Sequence, residues 1–222
     1  MTYDDKLPVP FGVFYKEEAG GGWKVGLNHD GTKIYVDRSN SSSVTTEGTY
    51  FYTYENNEWT LESVIPFPFV TYSQMSDDGN VFFSWYGNNN LRIFNYSNGS
   101  WTEENNDLPQ RLPSHNFDTS YDGKIIAYQT TISGSSNVYV NRVWQKNGLG
   151  GWTQLGQDLD NQTSGTHTGL YPSLSQDGLT LGVIAVTTPP PGSNYSEYLI
   201  KVYKYDGNEW KLSLNQNLNI IK

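Results

Sequence analysis

Four Asp-Gly pairs divide the sequence into units of similar length, and this repeat is the strongest constraint on the fold. The pairs begin at residues 30, 78, 122 and 177, so successive pairs are 48, 44 and 55 residues apart. Each pair is followed by a short apolar run: Ile34-Tyr-Val36, Val81-Phe-Phe83, Ile125-Ile-Ala127 and Leu181-Gly-Val183. Self-similarity at a period of about 20 to 50 residues is typical of repeat architectures, so the chain is predicted to contain four similar structural units.

Each unit is predicted to consist of four short antiparallel strands. The first strand ends at the Asp-Gly pair, which is predicted to form a type I′ hairpin turn because both residues tolerate positive φ. The second strand is the apolar run, and the third alternates aromatic residues, as in Tyr50-Phe-Tyr-Thr-Tyr54. A second tight turn leads to a fourth strand that carries one Trp. The four Trp residues are Trp59, Trp101, Trp152 and Trp210.

The composition favours strands over helices throughout the chain. Aromatic residues make up 15% of the sequence and Gly is frequent, a combination typical of strands joined by tight turns. Four-stranded units at this period predict an all-β fold, namely a β-propeller with four blades of four antiparallel strands. The predicted blades span residues 23–64, 69–106, 115–160 and 170–218, within a propeller domain at 23–222.

The first 22 residues are left over by this assignment and are predicted to be an N-terminal extension. Residues 11–16 are predicted to form an extra strand that closes the propeller ring or reaches a neighbouring chain. An alternative is a propeller of five blades with a shared or composite blade. That alternative rests on the similarity between Trp23-Lys-Val-Gly-Leu-Asn28 and Trp210-Lys-Leu-Ser-Leu-Asn215.

Units 3 and 4, about half of the chain, resemble a known class of propeller repeats. The segments are Gly151-Trp-Thr-Gln-Leu-Gly-Gln-Asp-Leu159, Gly169-Leu-Tyr-Pro-Ser-Leu-Ser-Gln-Asp-Gly178 and Tyr198-Leu-Ile-Lys-Val-Tyr203. They are similar to the integrin-type, FG-GAP-like Ser-x-Asp-Gly repeats of large bacterial surface proteins and large DNA viruses. The resemblance implies a propeller displayed on a cell surface or virion, and it implies no catalytic residues.

Because integrin-type propellers bind calcium through acidic loops, the Asp-Gly turns are candidate metal sites. Asp118, Ser120 and Asp122 place oxygen atoms at alternate positions ahead of Gly123, as a calcium loop requires. The other three units lack the first carboxylate. A hydrogen-bonded turn without metal is therefore the preferred interpretation, with calcium as the alternative, and no other cofactor is expected.

Aromatic residues outside the repeat are the candidate ligand-binding residues. Sugar-binding propellers place aromatic faces against the apolar side of a pyranose, and binding residues concentrate on loops of rigid scaffolds. The repeated Trp residues are instead assigned to packing between blades. The ligand-binding candidates are Trp85, Tyr86, Trp144 and Tyr195.

Composition and motif analysis argue against several function classes. The chain has no Cys to act as a nucleophile, and its three His residues have no second ligand at metal-site spacing. A pair of carboxylates from Asp37, Glu47, Asp118 or Glu197 keeps a glycoside hydrolase open as an alternative. A net charge of −9 argues against nucleic acid as a partner, and no apolar run is long enough for membrane insertion.

The predicted function is a non-enzymatic interaction module, a structural or decorating subunit of a surface assembly or virion. Its predicted partners are other protein chains or further copies of itself. A carbohydrate-binding lectin propeller with glycan ligands is the alternative, and a small glycoside hydrolase is the second alternative. The N-terminus lacks the basic start and apolar stretch of a signal peptide, so no localisation is assigned beyond the suspected assembly.

Overall fold

The computed structural model describes residues 24–38, 48–66, 70–86, 90–108, 117–131, 139–159, 168–186 and 198–217. These residues form sixteen β-strands in four sheets, and each sheet contains four strands. Within these ranges there is no helix that could cross a membrane. By its internal contacts the chain divides into two compact units, Met1–Asn105 and Asn106–Lys222.

The first unit contains two antiparallel sheets whose strands follow one another in sequence order. Sheet 1 consists of β1 (Lys24–Leu27), β2 (Lys33–Arg38), β3 (Gly48–Glu55) and β4 (Glu58–Ile65). Sheet 2 consists of β5 (Val70–Met75), β6 (Val81–Tyr86), β7 (Asn90–Ser97) and β8 (Ser100–Glu104). In both sheets the second and third strands, which lie in the middle of the sheet, are the most buried.

The second unit repeats this arrangement. Sheet 3 consists of β9 (Phe117–Thr119), β10 (Ile125–Thr131), β11 (Tyr139–Lys146) and β12 (Trp152–Gln154). Sheet 4 consists of β13 (Thr168–Leu174), β14 (Thr180–Val186), β15 (Tyr198–Tyr205) and β16 (Trp210–Asn217). The prediction of four repeats, each forming one sheet of four antiparallel strands, is confirmed. Residues 1–22 and the proposed extra strand at 11–16 lie outside the described residues.

The Asp-Gly turns join the first and second strands as expected, but their conformation differs from the prediction. Only the Gly of each pair has positive φ, between 64° and 72°, whereas a type I′ turn needs positive φ at both central residues. The N–H of Gly79 donates to the Ser76 carbonyl at 2.8 Å. The Asp78 carboxylate accepts the N–H of Asn80 at 3.0 Å. The type I′ prediction is therefore wrong, because the Asp side chain closes the turn while its own backbone stays in the ordinary φ region.

Type I′ turns occur instead at the opposite end of the sheets in the first unit. Asn56 and Asn57, between β3 and β4, both have positive φ, as do Asn98 and Gly99 between β7 and β8. Asn and Gly tolerate this conformation best, and the twist of the turn matches that of the flanking strands. The hairpins therefore lie where they were predicted, and only the type I′ conformation was assigned to the wrong pair of residues.

The Asp-Gly turns also connect neighbouring sheets within each unit. The N–H of His29 donates to the Asp77 carbonyl at 2.8 Å, which joins sheet 1 to sheet 2. The N–H of Tyr121 donates to the Gln176 carbonyl at the same distance, which joins sheet 3 to sheet 4. Each of these residues stands between the polar first residue and the Asp of its turn. The residue at this position of the turn therefore makes the backbone hydrogen bond between sheets in both units.

Two of the repeated Trp residues, Trp101 and Trp210, pack between the sheets of their units. In the first unit the ring of Trp101 on β8 lies 4.5 Å from that of Phe51 on β3, between centroids. Phe51 in turn contacts Phe82 on β6 at 4.9 Å, edge to face. In the second unit the indole N–H of Trp210 donates to the Leu155 carbonyl at 2.7 Å. The assignment of the repeated Trp residues to packing is confirmed for these two positions.

Gly178 stands at a close approach of sheet 4 to sheet 3. A Cβ atom at this position would lie 2.7 Å from Cδ1 of Ile125, and φ is +70°. Gly31, in the equivalent turn of sheet 1, has nearly the same φ, +72°, and open space around it. An added Cβ atom would strain the backbone at both positions, but it would overlap a neighbour only at Gly178. Comparing substitutions at the two positions therefore separates the two costs.

We expect Gly31→Ala to lower the free energy of unfolding by about 1 kcal/mol, from backbone strain alone. Gly178→Ala is expected to cost about 2 to 4 kcal/mol, because overpacking against Ile125 adds to the same strain. Urea denaturation of both variants measures the difference. Equal losses would contradict the close approach of the turn to sheet 3.

Candidate functional site

The aromatic residues predicted to bind a ligand do not share one surface in the described residues. Trp85 on β6 is 1% exposed, so it offers no face to a ligand and belongs to the core. Trp144 on β11 is half-buried, and its ring stacks on Tyr128 with centroids 6.4 Å apart. Tyr86 ends β6, but its side chain lies outside the described part of the chain. Tyr195 lies outside the described residues.

The candidate calcium loop directs its oxygen atoms toward donors within the protein. The Ser120 hydroxyl donates to Asp122 at 2.9 Å and accepts an N–H from β10. Asp122 also pairs with the Lys124 ammonium group at 2.9 Å. Asp118 accepts the N–H of Leu174 at 2.7 Å, which ties β9 to β13. These contacts form the hydrogen-bonded turn that the sequence analysis preferred. Among the described residues there is no cluster of three acidic or His side chains that could hold a metal ion.

The carboxylates considered for a glycoside hydrolase serve other contacts where the structure describes them. Asp37 is 1% exposed, and Asp118 is bonded to a backbone N–H of the neighbouring sheet. Glu47 and Glu197 lie outside the described residues. Asp37 and Asp118 therefore each accept hydrogen bonds from groups within the protein.

Asp37 is the centre of a buried polar cluster at the junction of sheets 1 and 2. Its carboxylate accepts a hydrogen bond from the Thr49 hydroxyl on β3 at 2.5 Å and another from the Ser73 hydroxyl on β5. The Tyr35 hydroxyl donates to the Ser73 carbonyl at 3.0 Å. Lys24 on β1 stands opposite Asp37 in the strand register. The cluster joins three strands of one sheet to the first strand of the next.

Burial sets the electrostatic behaviour of this cluster. Loss of water raises the pKa of the Asp37 carboxyl above its ordinary value, and the Ser73 and Thr49 hydroxyls and the charge of Lys24 offset this in part. Asp158 in the second unit behaves in the opposite way. Its bidentate contact with Arg142, at 2.7 and 2.8 Å, lowers the pKa of the Asp158 carboxyl.

The equivalent position in the second unit carries an amide. Gln129 stands seven residues after Asp122, as Asp37 stands seven residues after Asp30, and it is also buried. Its neighbour across the strands is Asn141, which is fully buried and whose carboxamide has no hydrogen-bond partner in the part of the chain the structure describes. Asp37, Gln129 and Asn141 are all buried, so none of these polar side chains presents a surface to a ligand.

Four of the ten exposed large apolar or aromatic side chains among the described residues lie on two edge strands, β1 and β16. On β1 the side chains of Val25 and Leu27 are exposed and share one face. On β16 Leu212 is 51% exposed and Leu214 is 43% exposed. All side chains at residues 211–216 are exposed, so neither face of this strand is covered.

Tyr171 is an exposed aromatic residue that the sequence analysis missed. Its φ is +60°, an unusual value for a bulky residue, and it immediately precedes Pro172, which normally forces the preceding residue into extended backbone. The register between β13 and β14 shifts between Leu170 and Ser173, so Tyr171 and Pro172 form a bulge. The ring is 61% exposed as a result. The Tyr-Pro pair inside a predicted strand was the signal that could have identified it.

Substitution of Asp37 tests the buried cluster. A raised folded pKa means that the folded chain binds the proton more tightly, so its stabilising effect is present at low pH and is lost as pH rises through that value. Asp37→Asn removes the titration, so the unfolding free energy of the variant minus that of the wild type should increase as pH rises above about 4, the ordinary pKa of Asp. Urea denaturation at a series of pH values measures it.

Asp158→Asn is the matched control with the opposite sign. Its lowered pKa contributes stability that is lost as pH falls below about 4, so the same difference should decrease as pH rises to about 4 and should stay level above it. If both variants show the same trend, burial does not dominate at Asp37.

Comparison with known proteins informs the fold. No protein-family model and no curated protein matches the chain. Prolyl oligopeptidase B from Galerina marginata is similar over 88% of this chain and 31% of its own length, with 14% identity and a TM-score of 0.57. Dipeptidyl peptidase 4 of Porphyromonas gingivalis is similar over 92% and 34%, with 11% identity and a TM-score of 0.54. Hydrazine synthase of Kuenenia stuttgartiensis is similar over 86% and 53%, with 12% identity and a TM-score of 0.53.

At these identities the likeness shows the fold alone. The chain spans about a third to about half of the length of these solved proteins. Because the similar structures are β-propeller proteins, the predicted fold class is confirmed. The chain is an all-β protein of the β-propeller class, built from four sheets of four antiparallel strands.

Proposed function

We propose that this chain is a non-enzymatic protein-interaction module, a structural or decorating subunit of a surface assembly such as a virion. The observation that carries the proposal is the uncovered strand β16, with Leu212 and Leu214 exposed at an edge of sheet 4. An edge strand presents unpaired backbone N–H and C=O groups to a partner. Apolar side chains beside such groups are the usual ingredients of strand addition.

The energetics favour coverage of this strand. Burial of apolar surface contributes about 25 cal/mol per Å², so covering two half-exposed leucines supplies on the order of 1 to 3 kcal/mol. Each backbone hydrogen bond formed along the edge adds about 1 kcal/mol. Leu149 is 98% exposed, but it lies in the loop between β11 and β12 and has no strand edge beside it. It therefore serves as a matched control.

The test replaces the edge leucines with a strand-compatible polar residue. Leu212→Thr/Leu214→Thr keeps β-propensity and removes the apolar contact, so it is expected to lower affinity for the native partner about 10- to 100-fold, which corresponds to about 1.4 to 2.8 kcal/mol. Leu149→Thr is expected to leave affinity unchanged. The measurement compares hydrogen exchange of the β16 amides in the isolated chain and in the native assembly. Equal exchange in both preparations would overturn the proposal.

A second candidate function is glycan binding, and the observation that favours it is Tyr171. An exposed aromatic ring held in strained backbone is a recurrent feature of binding sites, since strain persists only where the surroundings impose it. A glycan array is expected to show binding that Tyr171→Ala abolishes and Tyr121→Ala, another exposed tyrosine, preserves. If wild-type protein binds no glycan, this candidate is excluded.

A further inference from the structure

We propose that β16 is the pairing edge for a second copy of this chain, which adds its own β16 in antiparallel orientation. The pairing would join two copies of sheet 4 into one continuous eight-stranded sheet related by a two-fold axis. The inference rests on the proposed function, because it names the partner of the same edge. Comparison of β16 with the other outer strands and the distribution of charge support it.

The other outer strands carry features that block strand addition. β4 has Glu62 within the strand and Pro66 just beyond its end. β8 carries Glu103 and Glu104. β12 is only three residues long, Trp152–Gln154. Charges, prolines and short length are the devices by which natural proteins protect sheet edges.

β16 lacks all three protections over most of its length. The strand has eight residues, and residues 212–217 include no charge and no proline. Its one charged residue, Lys211, is compensated within the chain by Asp206 at 2.6 Å and Glu209 at 3.7 Å. The backbone N–H and C=O of Trp210, at the start of β16, are both bonded to the Gln157 side chain. Beyond Trp210, β16 is the one of the four described outer strands that is left open to pairing.

A direct comparison of β4 and β16 sharpens the contrast. In both strands one residue is skipped in the register with the third strand of the sheet, which is the mark of a β-bulge. The skipped residue is Glu62 in β4 and Ser213 in β16. The same structural position thus carries a blocking charge in sheet 1 and a small neutral residue in sheet 4. Beyond this bulge, residues 214–217 pair regularly with β15, so their outer edge is straight enough for a further strand.

Electrostatics favour a second copy at this edge. The chain carries a net charge of −9, so two copies repel one another over most approaches. Residues 212–217 contribute no charge, and antiparallel pairing of this segment with itself opposes no like charges in any register. Two copies therefore meet with least repulsion at β16. Because the remaining repulsion is screened by salt, dimerisation should strengthen as ionic strength rises.

The experiment uses two oppositely charged versions of the edge in the full chain. Ser213→Glu/Asn215→Glu and Ser213→Lys/Asn215→Lys each place like charges opposite one another in a symmetric dimer. Sedimentation is expected to show a concentration-dependent dimer for the wild type and a dissociation constant raised at least 10-fold for each variant alone. An equimolar mixture of the two variants should restore the dimer, because opposite charges then face each other.

Thr60→Glu and Thr60→Lys on β4 are the matched controls, since this residue is also exposed on an outer strand. They should leave dimerisation unchanged. A wild type that is monomeric at every concentration overturns the inference, as do variants that dimerise like the wild type or a mixture that stays monomeric. If β16 binds a different protein, the wild type alone is monomeric while Leu212→Thr/Leu214→Thr still loses its native partner. That outcome overturns the second-copy inference and leaves the proposed function standing.

Discussion

The side-chain-closed turn between the first and second strands is the interaction on which the rest of each unit depends. In every sheet a Ser or Asn begins the turn, an Asp carboxylate accepts a backbone N–H two residues on, and a Gly adopts positive φ. The turn fixes the register of the first and second strands, which it joins. Through the backbone bonds from His29 and Tyr121 it also fixes the distance to the next sheet. One short motif therefore sets both the hairpin and the sheet spacing.

Packing between sheets is specific because it combines aromatic contact with hydrogen bonds at the junction. In the first unit the junction holds an aromatic cluster and a buried carboxylate, Asp37, whose donors come from both sheets. In the second unit a largely aliphatic cluster that includes Tyr203 and Trp210 lies between the sheets, and the Gln129–Asn141 pair lies within sheet 3. A buried carboxylate is costly unless its oxygen atoms are satisfied, so the hydroxyl donors are what make the first arrangement tolerable. The repeat conserves geometry within the chain while its chemistry varies.

The outer strands decide what the chain presents to partners. Charged residues, a proline or short length protect three of them, whereas β16 is long, neutral beyond Lys211 and exposed on both faces. Protection of sheet edges is a general requirement for staying monomeric. An edge without it is compatible with a chain that works inside an assembly. This contrast, more than any cleft or cluster of titratable groups, supports an interaction role.

The sequence by itself determined the repeat, the number of strands in each sheet and the location of the turns. Asp-Gly pairs and period-2 aromatic patterns are local signals, so they can be recognised without the tertiary structure. It also predicted the packing role of Trp101 and Trp210. Tertiary structure alone decided which aromatic residues are accessible: Trp85 is buried, whereas a bulge exposes Tyr171. Burial depends on which sheet faces a strand, and a bulge depends on register with a neighbouring strand. Neither is encoded in the spacing of residues along one strand, and so the candidate surfaces emerged only when the sheets were assembled.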